Sequence, residues 1–268
     1  MPRLFTRKKL IISAAVRCHI GLVRQNNEDN FYFSGVYLPL DKTDAGDSRE
    51  GFFPLEQDPV FAVCDGMGGE DDGETAAYMA VKGIADEAVK QDPDWERSLR
   101  DISREISRGS SPGYTRGCTA ALTAFSNGRA CIYNVGDSRI YLFRHGRLRQ
   151  VSRDHSPVYE LYEAGALTRE EVRLHPRNNI ISRFLGMEDA DAWDPFAHFA
   201  RITCRPEDIF LICSDGLTDL IPEFILSEIL SAGGTVRVIA QRLLDEALKR
   251  GGRDNVTLIV LALKDDRI

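Results

Sequence analysis

The chain has 268 residues, 43% of them hydrophobic, which suits one large domain with a sizeable core. Its formal net charge of −7 argues against broad binding of nucleic acid or anionic membrane, and no apolar run approaches the ~18 residues that a membrane span needs. The six cysteines form no C-x-x-C pair and mostly sit in apolar, strand-like runs. That usage points to reduced, buried thiols in a cytoplasmic protein rather than a zinc site or a disulfide framework.

The N-terminal Arg7-Lys8-Lys9 followed by Leu10–Val16 resembles the start of a signal peptide. The apolar run is short, contains Ser13 and ends at Arg17 without a cleavage site, so it is read as a basic lead-in to the first strand. Strands are predicted at 11–20 and 30–37, joined by a polar turn over 21–29. Residues 38–58 are rich in Asp, Gly and Pro without periodicity, which predicts an exposed insertion loop. Val60–Cys64 is a short apolar, β-branched run that reads as a buried strand. It ends in Asp65-Gly66-Met67-Gly68-Gly69, where glycines let the backbone turn sharply beside a carboxylate. An Asp at such a place also serves as a helix cap or a turn residue, so its chemistry depends on partners.

Helices are predicted over 74–90 and 94–108, with a break at 110–117. Three strands follow at 118–125, 129–135 and 139–143, the first link marked by Asn127-Gly128, a strong hairpin signal. Residues 152–186 break into short charged helical pieces punctuated by Pro157, Gly165 and Pro176, which reads as a small flap subdomain. Strands resume at 198–204 and 209–213. Val236, Ile239, Ala240, Leu243, Leu244 and Ala247 then form one apolar helical stripe read as core, and Gly251-Gly252 ends that helix. A last strand covers 256–263. Runs of strands and runs of helices, without strict alternation, predict an α+β fold with antiparallel sheets.

Asp65 has counterparts. Asp215 repeats its setting, an apolar strand followed by Asp-Gly; Asp254 stands just before the last strand; Asp137 follows Asn-Val-Gly; and Glu28-Asp29 lie in the first turn. Carboxylates converging from strand ends repel one another unless a cation neutralises them. Oxygen ligands without Cys/His clusters suit Mg2+ or Mn2+ rather than zinc. A paired-metal site of this kind activates water for in-line attack on phosphate, and Arg24 has the planar fork to clamp a phosphate.

The ordered set of pieces resembles a metal-dependent protein phosphatase of the type 2C (PPM) family, in its compact bacterial form. The pieces are Gly21-Leu22-Val23-Arg24 with Asn27-Glu28-Asp29, Asp65-Gly66-Met67-Gly68-Gly69 with Gly73-Glu74, Gly117-Cys118-Thr119 and Gly136-Asp137-Ser138-Arg139. His155, His175-Pro176, Leu185-Gly186, Ser214-Asp215-Gly216-Leu217-Thr218 and Arg253-Asp254-Asn255-Val256-Thr257 complete it across nearly the whole chain. The resemblance implies a single catalytic domain built as a sandwich of two antiparallel sheets flanked by helices. It implies that Asp65 bridges two Mn2+ or Mg2+ ions and that the Gly66 carbonyl binds one of them. Asp215 and Asp254 would hold the first ion, Glu28 and Asp29 would act largely through bound waters, and Asp137 with Asp215 would hold a third ion. Arg24 would bind the substrate phosphate.

The implied partners are phosphorylated Ser/Thr proteins, including a serine/threonine kinase and its substrates, and the chain is expected to act as a monomer. Met67 stands where some members carry a histidine able to protonate the leaving group, and Glu70 where a histidine is common. His155 is read as a structural or surface residue. A catalytically weak relative that only binds a phosphoprotein is the alternative reading, and the intact set of Asp65, Asp215, Asp254 and Arg24 argues against it. A phosphodiesterase or nuclease is disfavoured by the acidic balance.

Overall fold

A computed structural model of the chain describes residues 9–41, 47–67, 72–109 and 116–266. Strand β1 (Leu10–His19) pairs antiparallel with the last strand, here numbered β13 (Val256–Asp265), from Leu10 opposite Asp265 to His19 opposite Val256. That register sets the turn after β1, which carries Arg24, Glu28 and Asp29, beside Asp254, which immediately precedes β13. Strand β2 (Asn30–Phe33) is shorter than the sequence predicts. The chain turns at Ser34 and Gly35, both at positive φ, and Tyr37 returns to bridge Tyr32.

The expected insertion loop at 38–58 is corrected by β3 (Asp47–Pro54), which pairs with β1 along its length and is followed by a turn of 3-10 helix at Leu55–Gln57. Residues 42–46 lie outside the described residues. Composition hid this strand because it is an edge: Asp47, Arg49 and Glu50 are the charges that keep an exposed edge from recruiting another chain. Phe53 faces inward, edge-to-face with Phe33 at 5.4 Å and Phe61 at 5.2 Å, whereas Phe52 is exposed.

The chain continues through β4 (Val60–Cys64), the two-residue β5 (Gly66–Met67), helices α1 (Gly73–Ala88) and α2 (Trp95–Arg108), and the two-residue β6 (Gly117–Cys118). Next come β7 (Ala120–Ser126), β8 (Arg129–Val135), β9 (Arg139–Arg144) and β10 (Arg147–Gln150). The Arg-Leu-Arg-Gln of β10 is not foreseen: its composition is polar, yet His145 and Gly146 at positive φ close a two-residue hairpin onto β9. Short helices α3 (Pro157–Glu163) and α4 (Arg169–Arg173) precede β11 (His198–Thr203) and β12 (Ile209–Cys213). Helices α5 (Asp215–Thr218), α6 (Glu223–Ser231) and α7 (Val236–Lys249) lead back to β13. Helix α6 escapes sequence reading because its nine residues bury only Leu226 and Leu230, too short a stripe to recognise.

One sheet has the order β10-β9-β12-β13-β1-β3 and the other β11-β8-β7-β4-β2, every pairing antiparallel. They pack face to face through Ile12, Phe31, Phe61, Phe125, Phe210 and Ile259, all at most 1% exposed. Helices α1 and α2 cover the outer face of the five-stranded sheet, with Ala76, Ala77 and Ala80 allowing close approach. The stripe of α7 covers the six-stranded sheet. Covering both faces of each sheet explains why β12 and β13 read as continuous apolar runs rather than alternating ones. None of the six cysteines forms a disulfide, and among the described residues no helix is long and apolar enough to cross a membrane.

Candidate active site

Each carboxylate singled out in the sequence stands where a strand runs out at one end of the sandwich. Asp65 follows β4, Asp137 follows β8, Asp215 follows β12, Asp29 precedes β2 and Asp254 precedes β13. The local backbone holds them there. Asp65 N donates to Thr119 Oγ1 at 3.1 Å and Thr119 N to the Asp65 carbonyl at 2.8 Å, tying the β4 and β7 ends together. Ser214 Oγ donates to Asp29 Oδ2 at 2.9 Å while accepting from Thr257 N at 3.0 Å, which links the first turn to β12 and β13.

Asn255 staples the Arg24–Asp29 turn in place. Its Oδ1 accepts from Glu28 N at 2.8 Å, and its Nδ2 donates to the carbonyls of Ile20 and Asn26, both at 2.9 Å. Gly66 is required by close approach: a Cβ there would stand 2.2 Å from the Gly73 carbonyl oxygen and 2.7 Å from that of Glu28. The Glu28 carboxylate itself lies against Gly73, whose added Cβ would meet Oε2 at 2.8 Å. Glu28 and Gly66 are therefore immediate neighbours. Gly68, Gly69 and Glu70 lie outside the described residues.

Electrostatics show how closely the acids are gathered. Enclosure by protein, then repulsion from Asp29, Asp215 and Asp137, holds the Asp65 carboxyl well above the usual carboxylate range. Asp137 is raised in the same way by enclosure and by Asp215 and Asp154, and Asp215 by enclosure and Asp254. Their side chains are not sealed off, since each retains partial solvent access. Arg24 crosses to Asp254 at 2.6 Å, and this bond is the main reason its guanidinium is raised above its ordinary value. The Arg24 side chain is 52% exposed, so its remaining donors face solvent.

Sequence reasoning missed Asp219 and Asp154. Asp219 lies one helical turn after Asp215, its N–H bonded to the Asp215 carbonyl at 2.8 Å. Enclosure and Asp215 push it up to about 7. The i, i+4 spacing of two Asp residues after an apolar strand was the available signal. Asp154 is 3% exposed and takes the Arg139 guanidinium at 2.7 Å and Gln150 Nε2 at 2.6 Å; nothing in its sequence setting marks it. A cleft of about 380 Å3 runs along the site between the α4 end (Arg173, His175) and Asp215, Asp219, Arg253 and Asp254. His155 is buried and accepts from Gly136 N at 3.2 Å, a structural position.

Among the described residues, no three His, Cys, Asp or Glu side chains stand in closed ligand geometry for a metal ion. The arrangement is a set of neighbouring charges rather than a preassembled shell. The donor set nevertheless fits hard divalent cations: it is all oxygen, it combines several carboxylates with a backbone carbonyl beside Gly66, and its mutual repulsion is what a cation relieves.

The family model of protein phosphatase 2C matches residues 48–256. A serine/threonine phosphatase, stp, of Listeria monocytogenes is 32% identical over 260 residues, covering 92% of this chain and 94% of that protein. The crystal structure of the Mycobacterium tuberculosis serine/threonine phosphatase PstP/Ppp superposes with a TM-score of 0.76 at 30% identity, over 95% of this chain and 99% of that one. The PstP catalytic domain in complex with two manganese ions gives 0.74 at 29% identity, over 96% of this chain and 100% of that one. With the family match spanning most of the residues between the first and last sheet strands, the chain belongs to the protein phosphatase 2C family, the metal-dependent serine/threonine protein phosphatases.

Proposed function

We propose that this chain hydrolyses phosphoserine and phosphothreonine monoesters on proteins, with Asp65, the Gly66 carbonyl, Asp215 and Asp254 holding two Mn2+ or Mg2+ ions. Glu28 and Asp29 act around them through water, and Asp137 with Asp215 holds a third ion. The observation that carries the reading is the gathering of Asp29, Asp65, Asp137 and Asp215 from four separate strand ends into mutual repulsion at one end of the sandwich. When bound, divalent cations supply charge neutralisation and a water of lowered pKa for attack on phosphorus.

The chain's own residues do the positioning. Arg24, exposed on its outer side and anchored to Asp254, offers its free fork edge to the phosphate oxygens. Asn255 fixes the turn on which Arg24 and Glu28 ride. His155 is not the leaving-group acid: burial and the nearby arginines pull its imidazole down to about 3, and its Nδ1 is already committed to Gly136. Phosphorylated proteins that include a serine/threonine kinase and its substrates, a monomeric state and a cytoplasmic setting complete the proposal; six cysteines without a disulfide support the last.

The test is turnover of para-nitrophenyl phosphate and of a phosphothreonine peptide in manganese. Asp65→Asn and Asp215→Asn are each expected to lower kcat by about 100-fold or more, while Glu163→Gln, at a residue paired with Arg153 that does not line the cleft along the carboxylates, leaves it unchanged. Near-wild-type turnover in either Asn variant overturns the assignment.

A further inference from the structure

The open side of the sandwich holds a feature that phosphomonoester hydrolysis does not use. There the edge strands of the two sheets, β10 and β11, run alongside one another and enclose a cleft of about 330 Å3. The inter-sheet core residues Val151 and Ile202 line it, together with Arg149, Arg153, His198 and Arg201. None of Asp65, Asp137, Asp215 or Asp254 does so.

The charges in this cleft do not balance. Glu163 is the one acidic residue among those lining it, and Arg153 engages it with Nε at 2.8 Å and Nη2 at 2.5 Å. Arg149 and Arg201, one from each sheet, are exposed and form no ion pair or side-chain hydrogen bond with another described residue. Arg201 only lies over the Phe199 ring at 5.4 Å. Two uncompensated guanidiniums therefore flank a concave surface on a chain whose net charge is −7. A second observation is independent of them: His198 Nδ1 is enclosed without a hydrogen-bond partner, a condition that native structures rarely leave unexplained. The same corner is crowded with further positive or protonatable groups, and Arg153 and Arg183 both disfavour protonation of the adjacent His155.

We propose that the cleft between β10 and β11 binds a phosphate-class dianion, gripped by Arg149 from one sheet and Arg201 from the other, with Arg153 and His198 beside it. A dianion matches the two unpaired guanidiniums, and a tetrahedral oxyanion presents acceptors to both sides of the gap, which a single carboxylate does not. Occupancy would be felt at the catalytic end. The segment from Ser152 to His155 leaves the cleft and bonds through His155 N to the Gly136 carbonyl at 2.9 Å, next to Asp137.

The experiment is a titration of the isotope-labelled, magnesium-loaded protein, followed by amide shifts in a nitrogen–proton correlation spectrum. Inorganic phosphate is one arm and a peptide bearing a single non-hydrolysable phosphonate analogue of phosphoserine the other. Saturable shifts at 149–153 and 198–202 are expected in addition to any at Arg24 and Gly66. The Arg149→Ser, Arg201→Ser double variant should weaken binding in the cleft by at least about tenfold, with turnover of para-nitrophenyl phosphate retained. Glu163→Gln releases Arg153 and should tighten it by about threefold. The arm that saturates the cleft at lower concentration identifies whether the phosphoryl group arrives free or on a protein. Absence of saturable shifts in the cleft, or shifts unchanged in the double variant, overturns the proposal; retained turnover separates that outcome from a failure of the phosphatase reading.

Discussion

Asp65 carries the clearest conflict between stability and function. Its folded-state pKa lies well above its unfolded value of 3.8 because burial, and then the neighbouring carboxylates, disfavour its charge. The folded state therefore binds a proton that the unfolded state has released, and the penalty is felt as pH rises through the carboxylate range towards that raised value. With metal chelated at pH 8, Asp65→Asn is expected to raise the melting temperature above wild type even as it removes activity. Calorimetry on the chelated pair checks this, and a lower melting temperature for the variant would contradict it. His155 shows the opposite sign. Its folded value is about 3 against an ordinary 6.5, so its contribution is complete above pH 6.5 and is lost as pH falls towards 3. His155→Asn, which keeps an acceptor for Gly136 N, should flatten the fall in unfolding free energy between pH 6.5 and 4. Equal slopes in urea titrations of the two proteins would refute the assignment.

Among the elements, β3 tests how a strand can be both charged and structural. Its outer residues protect the sheet edge, while Phe53 joins the edge-to-face series that runs through Phe33 and Phe61 to Phe125 and Phe210. Phe53→Ala should cost about 2–3 kcal/mol in urea unfolding, somewhat below the usual range for a fully buried phenylalanine because the ring is partly exposed. Phe52→Ala, at a side chain 71% exposed, should fall within about 0.5 kcal/mol of wild type. Equal losses at the two positions would mean that β3 is not docked as described. The short β10 and β11 matter for a related reason: as unpaired edges of different sheets they leave the cleft in which Arg149 and Arg201 meet.

At the scale of the whole molecule, the carboxylates sit at the ends of strands from both sheets, so a bound cation ties the two halves of the sandwich together. Manganese at 100 times its dissociation constant should stabilise the fold by about 2.7 kcal/mol, since the unfolded chain has no such site. Thermal unfolding with and without the ion checks it. Asp215→Asn should lose most of that gain, and an unchanged gain would show that the cation binds elsewhere.

Much of this was legible in the order of residues, because strand ends marked by Asp-Gly, Arg-Asp-Asn and Gly-Asp-Ser are local signals, and the apolar stripe of α7 needs no partner to be recognised. Other features depend on neighbours distant in sequence. Strand β3 is a strand only because β1 accepts its hydrogen bonds, and Asp219 and Asp154 become members of an acidic cluster only through enclosure. The residues alone determined the candidate ligands, the arginine proposed to bind phosphate and the class of fold, since those follow from side-chain chemistry and periodicity. Tertiary structure alone decided that the acids meet, that His155 is buried against Gly136, and that guanidiniums from two different sheets face one cleft. Each of these is a matter of distance and desolvation between groups far apart along the chain.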